Sequence, residues 1–213
     1  MTETAGRRDR RADRHAATKR EIVDAAWGLA RERGLAGWTL RDVAEAVGMR
    51  APSLYGYFDS KFAIYDAMFA DGYTELLTQI DAVVDPAASP IETFRASGPL
   101  FFDFCVEDPA RYQLLFLRTI PGFEPGQASY AMAREVLERL TQLLAAVGAG
   151  GQEDVDLWTA VVTGLAGQQV SNDPGGDRWR RLVAPAAEMF LAVRAPAMPH
   201  DGGSGGPPPT IGG

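Results

Sequence analysis

Between Trp38 and Lys61 the chain carries its tightest constraint on fold, two short helical runs separated by a glycine. Thr39 is a good N-cap, and Asp42, three residues on, stands where a weak capping box would close. Leu40, Val43, Ala44 and Val47 recur at three- and four-residue spacing, which places them on one face of the first run. Gly48 falls where that helix must stop, because glycine enters the left-handed region at little cost. Pro52 falls where the next helix would start, since its missing N–H is not needed in a first turn. Two helices joined by a short glycine-bearing turn have the form of a helix-turn-helix, whose second helix can enter a DNA major groove.

In that second helix Leu54 and Phe58 are four apart and are expected to pack inward. Ser53, Tyr55, Gly56 and Tyr57 are left on or near the remaining faces, with Arg50 just ahead of them. Hydroxyls and a guanidinium suit phosphate oxygens and base edges, and Gly56 would let the backbone approach closely. Lys61 opens the following helix, where its ammonium and the helix N-terminus can both face a phosphate. The pattern alone leaves a plainer alternative open, an αα-corner whose tyrosines cover a core.

The segment from about Thr18 to Ala67 resembles the DNA-binding domain of the TetR family of transcriptional regulators. The resemblance rests on Lys19-Arg-Glu-Ile-Val-Asp-Ala-Ala as first helix and on Gly34-Leu-Ala-Gly-Trp-Thr-Leu-Arg-Asp-Val-Ala as link and second helix. It continues through Val47-Gly-Met-Arg-Ala-Pro-Ser-Leu-Tyr-Gly-Tyr-Phe-Asp-Ser-Lys61. It implies phosphate contacts for Thr39 and Arg41. It also implies a recognition face of Arg50, Ala51, Pro52, Ser53, Tyr55, Gly56 and Tyr57, and a backbone clamp at Lys61. Ala51 and Gly56 are smaller than the polar or aromatic residues common there, so direct base readout is expected to rest on Arg50, Ser53 and the tyrosines.

Charge is distributed as a one-ended DNA binder requires. The chain of 213 residues has a net charge of −7, yet residues 1–61 hold 12 Lys and Arg against 9 Asp and Glu. The remainder, with 9 against 19, would repel DNA. Residues Gly6 to Arg14 hold five arginines among aspartates with no apolar stripe. They are expected to lie in a disordered basic arm, residues 1–17, with contact to an adjacent minor groove or phosphates as the sharper alternative. The apolar h-region of a signal peptide is missing, and no stretch of about 18 apolar residues predicts a membrane span. A single cysteine, Cys105, precludes an internal disulfide and suits a reducing compartment. Its neighbours Phe101, Phe102, Phe104 and Val106 make a buried, inert thiol the expectation, against a redox sensor.

The rest of the chain reads as helix throughout. Lys19–Arg33 and Phe62–Val84 carry apolar residues at helical spacing, with a break at Asp85-Pro86. Ser89-Pro90 starts a further helix running to Glu107, which Gly98-Pro99 is expected to kink or interrupt. Asp108-Pro109 starts another to about Leu117, followed by a loop from Ile120 to Gly126. Gln127–Val147, Val155–Val170 and Trp179–Val193 complete the set, the last two joined by a turn at Asp173-Pro-Gly-Gly176. From Ala195 proline and glycine dominate, and residues 196–213 are expected to be a disordered tail. The fold class is therefore all-α: a three-helix DNA-binding domain at 18–64, then a larger helical domain at 65–195.

By the resemblance that larger domain binds a ligand and dimerises. Asp108-Pro-Ala-Arg-Tyr-Gln-Leu-Leu-Phe116 and Leu157-Trp-Thr-Ala-Val-Val-Thr-Gly-Leu-Ala166 are similar to one subgroup's C-terminal domain. A histidine often precedes the glycine there, whereas this chain has Thr163 before Gly164. The last two helices would form a four-helix interface with a second copy, with Ala160, Thr163, Gly164 and Gly167 allowing close approach; packing within the subunit is the alternative. Phe101, Phe104, Cys105, Tyr112, Phe116, Met132, Val136, Trp158 and Val162 are candidate pocket walls, with Gln168 or Gln169 as polar groups. The same aromatic stripe also fits plain core.

Catalysis is not expected. His15 and His200 fall in the two ends, which removes the usual general base and metal ligand from the folded part. P-loop, dinucleotide turn, nucleophile elbow and metal-spaced Cys/His motifs are missing, so neither metal nor cofactor is expected. The expectation is a cytoplasmic, bacterial, ligand-responsive repressor that binds a palindromic double-stranded operator as a homodimer. Its effector would be small and hydrophobic or aromatic. A small-molecule-binding or protein-interaction module without specific operator recognition is the alternative.

Overall fold

A computed structural model describes residues 2–83, 85 and 87–195, with side chains from residue 11 onward. The expected tail at 196–213 lies outside the described residues. Among these residues every regular element is helical. The order is α1 (Thr2–Arg33), α2 (Leu40–Ala46), α3 (Ala51–Leu54), α4 (Lys61–Val83), α5 (Pro90–Glu107), α6 (Pro109–Phe116), α7 (Gln127–Ala146), α8 (Gln152–Asn172) and α9 (Val183–Arg194). A 3-10 turn, Arg180–Leu182, leads into α9, so the run expected to be helical from Trp179 changes its winding on entry.

Local signals account for most boundaries. Thr39 and Asp42 close a full capping box on α2, and Ser89 with Glu92 closes another on α5, where Pro90 occupies the first turn. Asp108 caps α6 by accepting from Arg111 N–H at 3.0 Å, again ahead of a proline. Gly34, Gly48 and Gly148, each with positive φ, end α1, α2 and α7.

Three expectations are corrected. Residues 2–17 are not a disordered arm but the first turns of α1. Arginine and alanine are strong helix formers, and no glycine or proline stands between Gly6 and Thr18 to break the run. Nor does Gly98-Pro99 interrupt α5, which is helical through both. Gly98 lets Trp158 and Val183 approach to where a Cβ would lie 3.0 and 3.2 Å away, and this packing against α8 and α9 holds the segment in place. Finally α3 is only one turn long. Its continuation tightens to Gly56 N–H→Ser53 O and Tyr57 N–H→Leu54 O, so the aromatics fall in a turn.

Two cores result. The head is built by Ile22, Ala26, Trp38, Val43, Leu54, Ile64 and Met68, from α1 to the start of α4. The body is built by Phe94, Phe102, Phe104, Leu144, Trp158, Val162, Ala187 and Phe190. Phe94, Trp158 and Phe190 meet there with ring centroids 4.7–5.5 Å apart. Two helices belong to both. α4 gives Ile64, Tyr65 and Met68 to the head, then Phe69, Tyr73 and Leu76 to the body, and α6 gives Ala110 and Leu114 to the head and Leu115 to the body. Direct bonds reinforce the joint: Arg31 Nε donates to Asp108 Oδ2 at 2.8 Å and Trp27 Nε1 to Asp71 Oδ2 at 2.8 Å.

Candidate nucleic-acid interface

The exposed face of the head is set by how its buried face is anchored. Leu54 is fully buried and Phe58 nearly so, which fixes the turn that follows α3. Arg50, Pro52, Ser53, Tyr55 and Gly56 are then exposed, with Ala51 and Tyr57 half-buried. Tyr55 keeps 55% of its surface in solvent, an unusual exposure for a large ring. Arg41 and Arg50 are exposed with no ion-pair partner among the described residues. Arg50 precedes Ala51 as the N-cap residue of α3, without a side-chain capping bond. Most of the sequence-derived residues of the turn are thus open to solvent.

Two further sequence-derived residues have work inside the fold as well. Thr39 Oγ1 donates to Asp42 Oδ2 at 2.6 Å and accepts from Asp42 N–H, so its hydroxyl is a cap first. These bonds hold the Asp42 carboxyl below the usual carboxylate range. Lys61, the expected clamp on the nucleic-acid backbone, is largely occupied within the chain. Its Nζ donates to Trp38 O at 2.6 Å and Ala36 O at 3.2 Å and lies 4.2 Å from the Trp38 ring centre. Burial pushes its pKa down, partly countered by Asp42. The ammonium pins α4 to the link between α1 and α2, and one of its three donors is left for anything outside.

Two contacts from α1 complete the surface. The His15 ring stacks on Tyr57 with centroids 4.8 Å apart at 25°, and Lys19 Nζ sits 5.2 Å from the Phe58 ring centre. His15 is therefore part of the folded head rather than of a disordered end.

The body holds a cavity of about 1620 Å³ among α4 to α8. Of the expected wall residues, Phe101, Phe116, Val136, Trp158 and Val162 line it, whereas Phe104, Cys105, Tyr112 and Met132 do not. Phe104 is packed under the Arg111 guanidinium at 3.8 Å, and Tyr112 Oη donates to Thr163 O at 3.1 Å. Cys105 is fully buried, and burial raises its thiol pKa, so the inert thiol is what the fold provides. Gln169 is not a cavity group either: its Oε1 accepts from Trp179 N–H at 2.9 Å and its amide holds Asp173, closing the α8–α9 connection. The walls that sequence reasoning missed come chiefly from α4, with Phe69, Tyr73, Leu76 and Ile80, and from Leu100 and Leu140.

The family model for "Bacterial regulatory proteins, tetR family" matches residues 22–68, the head from α1 to the shared part of α4. Among curated proteins, the transcriptional repressor KstR2 of Mycobacterium tuberculosis is 26% identical over 132 residues. The match spans 62% of this chain and 57% of the relative, so little more than half of that relative's length is covered. A transcriptional regulator of Mycobacterium bovis is 27% identical over 182 residues, covering 79% and 75%. Among solved structures, a transcriptional regulator of the TetR/AcrR family from Thermobifida fusca superposes with a TM-score of 0.61 at 25% identity, covering 82% of this chain and 97% of that one. The fatty acid degradation regulator FadR of Bacillus halodurans, at 17% identity and a TM-score of 0.66, shares the fold.

Residues 22–68 thus match the TetR family, and most of the chain is similar to regulators of that family. In the matched head α2 and α3 stand where that family has its helix-turn-helix, and the match ends at Met68, the last α4 residue of the head core. On α8 and α9 the body exposes large apolar side chains. Leu157 on α8, Leu182 ahead of α9, and Met189 and Val193 on α9 are exposed, the last two at 70% and 75%. Ala160 and Gly164 are exposed beside Leu157, and a Cβ at Gly164 would meet nothing within 4 Å. Thr163 is half-buried, its hydroxyl donating to Thr159 O at 2.6 Å. Gly167 differs, since a Cβ there would come within 2.9 Å of Tyr112 Oη of the same chain.

Proposed function

We propose that the protein is a ligand-responsive repressor that binds a near-palindromic DNA operator as a homodimer. The observation that carries this reading is the pairing of a sealed head, bearing an exposed recognition turn, with a hollow body that shares two helices with it. Arg50, Ser53 and Tyr55, with Tyr57 beside them, would read base edges, while Thr39, Arg41 and the remaining donor of Lys61 would meet phosphates. Ala51, Pro52 and Gly56 would let the backbone lie close to the groove. The acidic remainder of the chain keeps DNA away from every other face.

The exposed apolar surface of Leu157, Leu182, Met189 and Val193, with Ala160 and Gly164 beside it, supports a two-fold α8–α9 interface, since four large apolar side chains at one end demand cover. Gly167 then serves its own subunit, giving room to Tyr112. A dimer would place two recognition turns on half-sites about 34–36 Å apart or a multiple of that.

The effector would be a largely apolar molecule in the 1620 Å³ cavity. The structural neighbour FadR is named for fatty acid degradation, and an acyl or aromatic body would match walls made of Phe69, Phe101, Phe116, Leu140 and Trp158. Leu114 and Leu115 of α6 line the cavity as well, and Leu114 is also part of the head core. A ligand that moves α6 or α4 therefore moves the head. Coupling of about 1–3 kcal/mol would suffice to release DNA.

The test is selection of the purified full chain against a random duplex library at about 150 mM salt, where weak electrostatic binding is suppressed. Enrichment of an inverted repeat is expected. Retention that is only salt-sensitive, with no sequence enriched, would overturn the reading in favour of a sensor or interaction module.

A further inference from the structure

The α1 helix extends well past the domain it belongs to, and its direction can be read from four contacts. Near its C-terminus Arg31 is bonded to Asp108 of α6 and Trp27 to Asp71 of α4. Towards its N-terminus Lys19 lies on Phe58 and His15 on Tyr57. Followed from Arg31 back to His15, the helix runs from the body to the recognition turn. The turns before His15 continue beyond it, on the side away from the body, where a duplex docked on Tyr55 and Ser53 would lie.

The same contacts fix which face of those turns looks along the recognition surface. At 100° per residue, Arg11 stands 40° from His15 and so shares the stripe of His15 and Lys19. Asp13 falls on the opposite side of the helix. Arg11 lies about 6 Å beyond His15 along the axis. Residues 11–16 are exposed. The partner that matches Arg11 in charge, and that continues from the surface next to it, is the phosphate backbone of duplex DNA.

We propose that the turn of α1 before His15 is a second DNA-contacting element, in which Arg11 engages phosphates beside the groove that takes α3. This rests on the operator-binding reading above. His15 is a positioning residue: stacked on Tyr57, it ties the added phosphate contacts to the turn that reads bases.

The experiment measures affinity of the full chain for a mixed-sequence 40-base-pair duplex and for the selected operator, between 50 and 200 mM salt, by fluorescence anisotropy. Removing one phosphate-binding cation lowers the slope of log K against log salt by about 0.9. Arg11→Ala should lower the slope by about one unit per protomer on both duplexes. Arg11→Lys should restore most of it. Arg20→Ala, on the opposite face, should leave the slope unchanged and serves as the folded control. His15→Ala should weaken operator binding more than mixed-sequence binding. Equal slopes for wild type and Arg11→Ala, in a protein that selects an inverted repeat, would overturn the α1 proposal alone. An equal loss in Arg20→Ala would overturn it too, by reducing it to general charge. Failure of the wild type to select any sequence would remove the reading on which both stand.

Discussion

In the head, Ile22, Val43, Leu54, Ile64 and Met68 have no exposed surface at all, and Lys61 and Tyr65 close the core from the side through carbonyls of the link after α1. The body has the larger core but is indented by a 1620 Å³ cavity, partly open to solvent, among α4 to α8. The two regions share α4 and α6, so the difference is not one of isolated domains. On the proposed reading, the part that faces DNA is built to keep one shape, while the part behind it is built to change shape when filled. A close-packed unit moves as a rigid body, whereas a hollow one has walls with two places to go.

The largest effect should come from cutting into the sealed side. Leu54→Ala removes a fully buried side chain from under the recognition turn and should cost about 2–5 kcal/mol, read by urea denaturation. The matching cut in the body, Leu100→Ala, only widens a space that exists already and should cost less than about 1 kcal/mol. Equal losses at the two sites would break the comparison.

Filling the space should reverse the order. Ala133→Trp places a large side chain on an α7 position that lines the cavity, and its stability should stay within about 1 kcal/mol of wild type. Ala44→Leu in the head forces a smaller excess into closed packing and should still cost about 1–3 kcal/mol. Operator affinity should survive Ala133→Trp, but an effector recovered from a release screen should act at least ten times more weakly. Full release by the same compound would place the effector elsewhere.

The joint between the regions gives a smaller effect on stability and a specific one on coupling. Arg31 is 54% exposed on its side chain while Asp108 is 7% exposed, so the pair is half screened by solvent. Arg31→Ala should lower stability by about 1 kcal/mol or less and leave operator affinity without effector nearly unchanged. The ratio of affinities with and without effector should shrink several-fold. An unchanged ratio would assign the coupling to α4 alone.

How much of this is legible in the sequence follows the range of the forces involved. The Thr39–Asp42 cap and the Ser89–Pro90 and Asp108–Pro109 starts involve neighbours within three residues, and the structure has all three. α5 continues through Gly98-Pro99 because Trp158 and Val183, far along the chain, fill the space that the missing Cβ leaves. The first turns of α1 resemble a tail because their anchoring contacts, His15 to Tyr57 and Lys19 to Phe58, join residues about forty apart in a pattern with no apolar period. Spacing puts Lys61 at a helix start, but the carbonyls of Ala36 and Trp38 that occupy it are invisible to spacing. For the cavity, periodicity identifies the inward faces of α4 and α5. It cannot say whether such a face meets a neighbour, as Phe104 meets Arg111, or a hole, as Phe101 does.

Acid offers the smallest and most selective way to separate head from body. Four carboxyls of the body are held below their ordinary range. For Asp154 the leading cause is its bond with Arg194, for Glu188 that with Arg95, for Glu92 the cap on Ser89, and for Asp173 the backbone N–H of Arg178. In the head the corresponding group among the described residues is Asp42. A carboxyl with a depressed pKa in the folded state adds stability above its unfolded value, near 4, and that stability is lost as pH falls through the lower folded value. Asp154 and Glu188 tie α9 to α8 and α5, so loss of these bonds loosens the end of the body first. Between pH 5 and 3 the emission of Trp158 and Trp179, observed in a Trp27→Phe/Trp38→Phe background, should therefore shift before that of Trp27 and Trp38 in the converse background. Simultaneous transitions would mean that head and body unfold as one unit, with α4 and α6 binding them more tightly than the hollow interior loosens them.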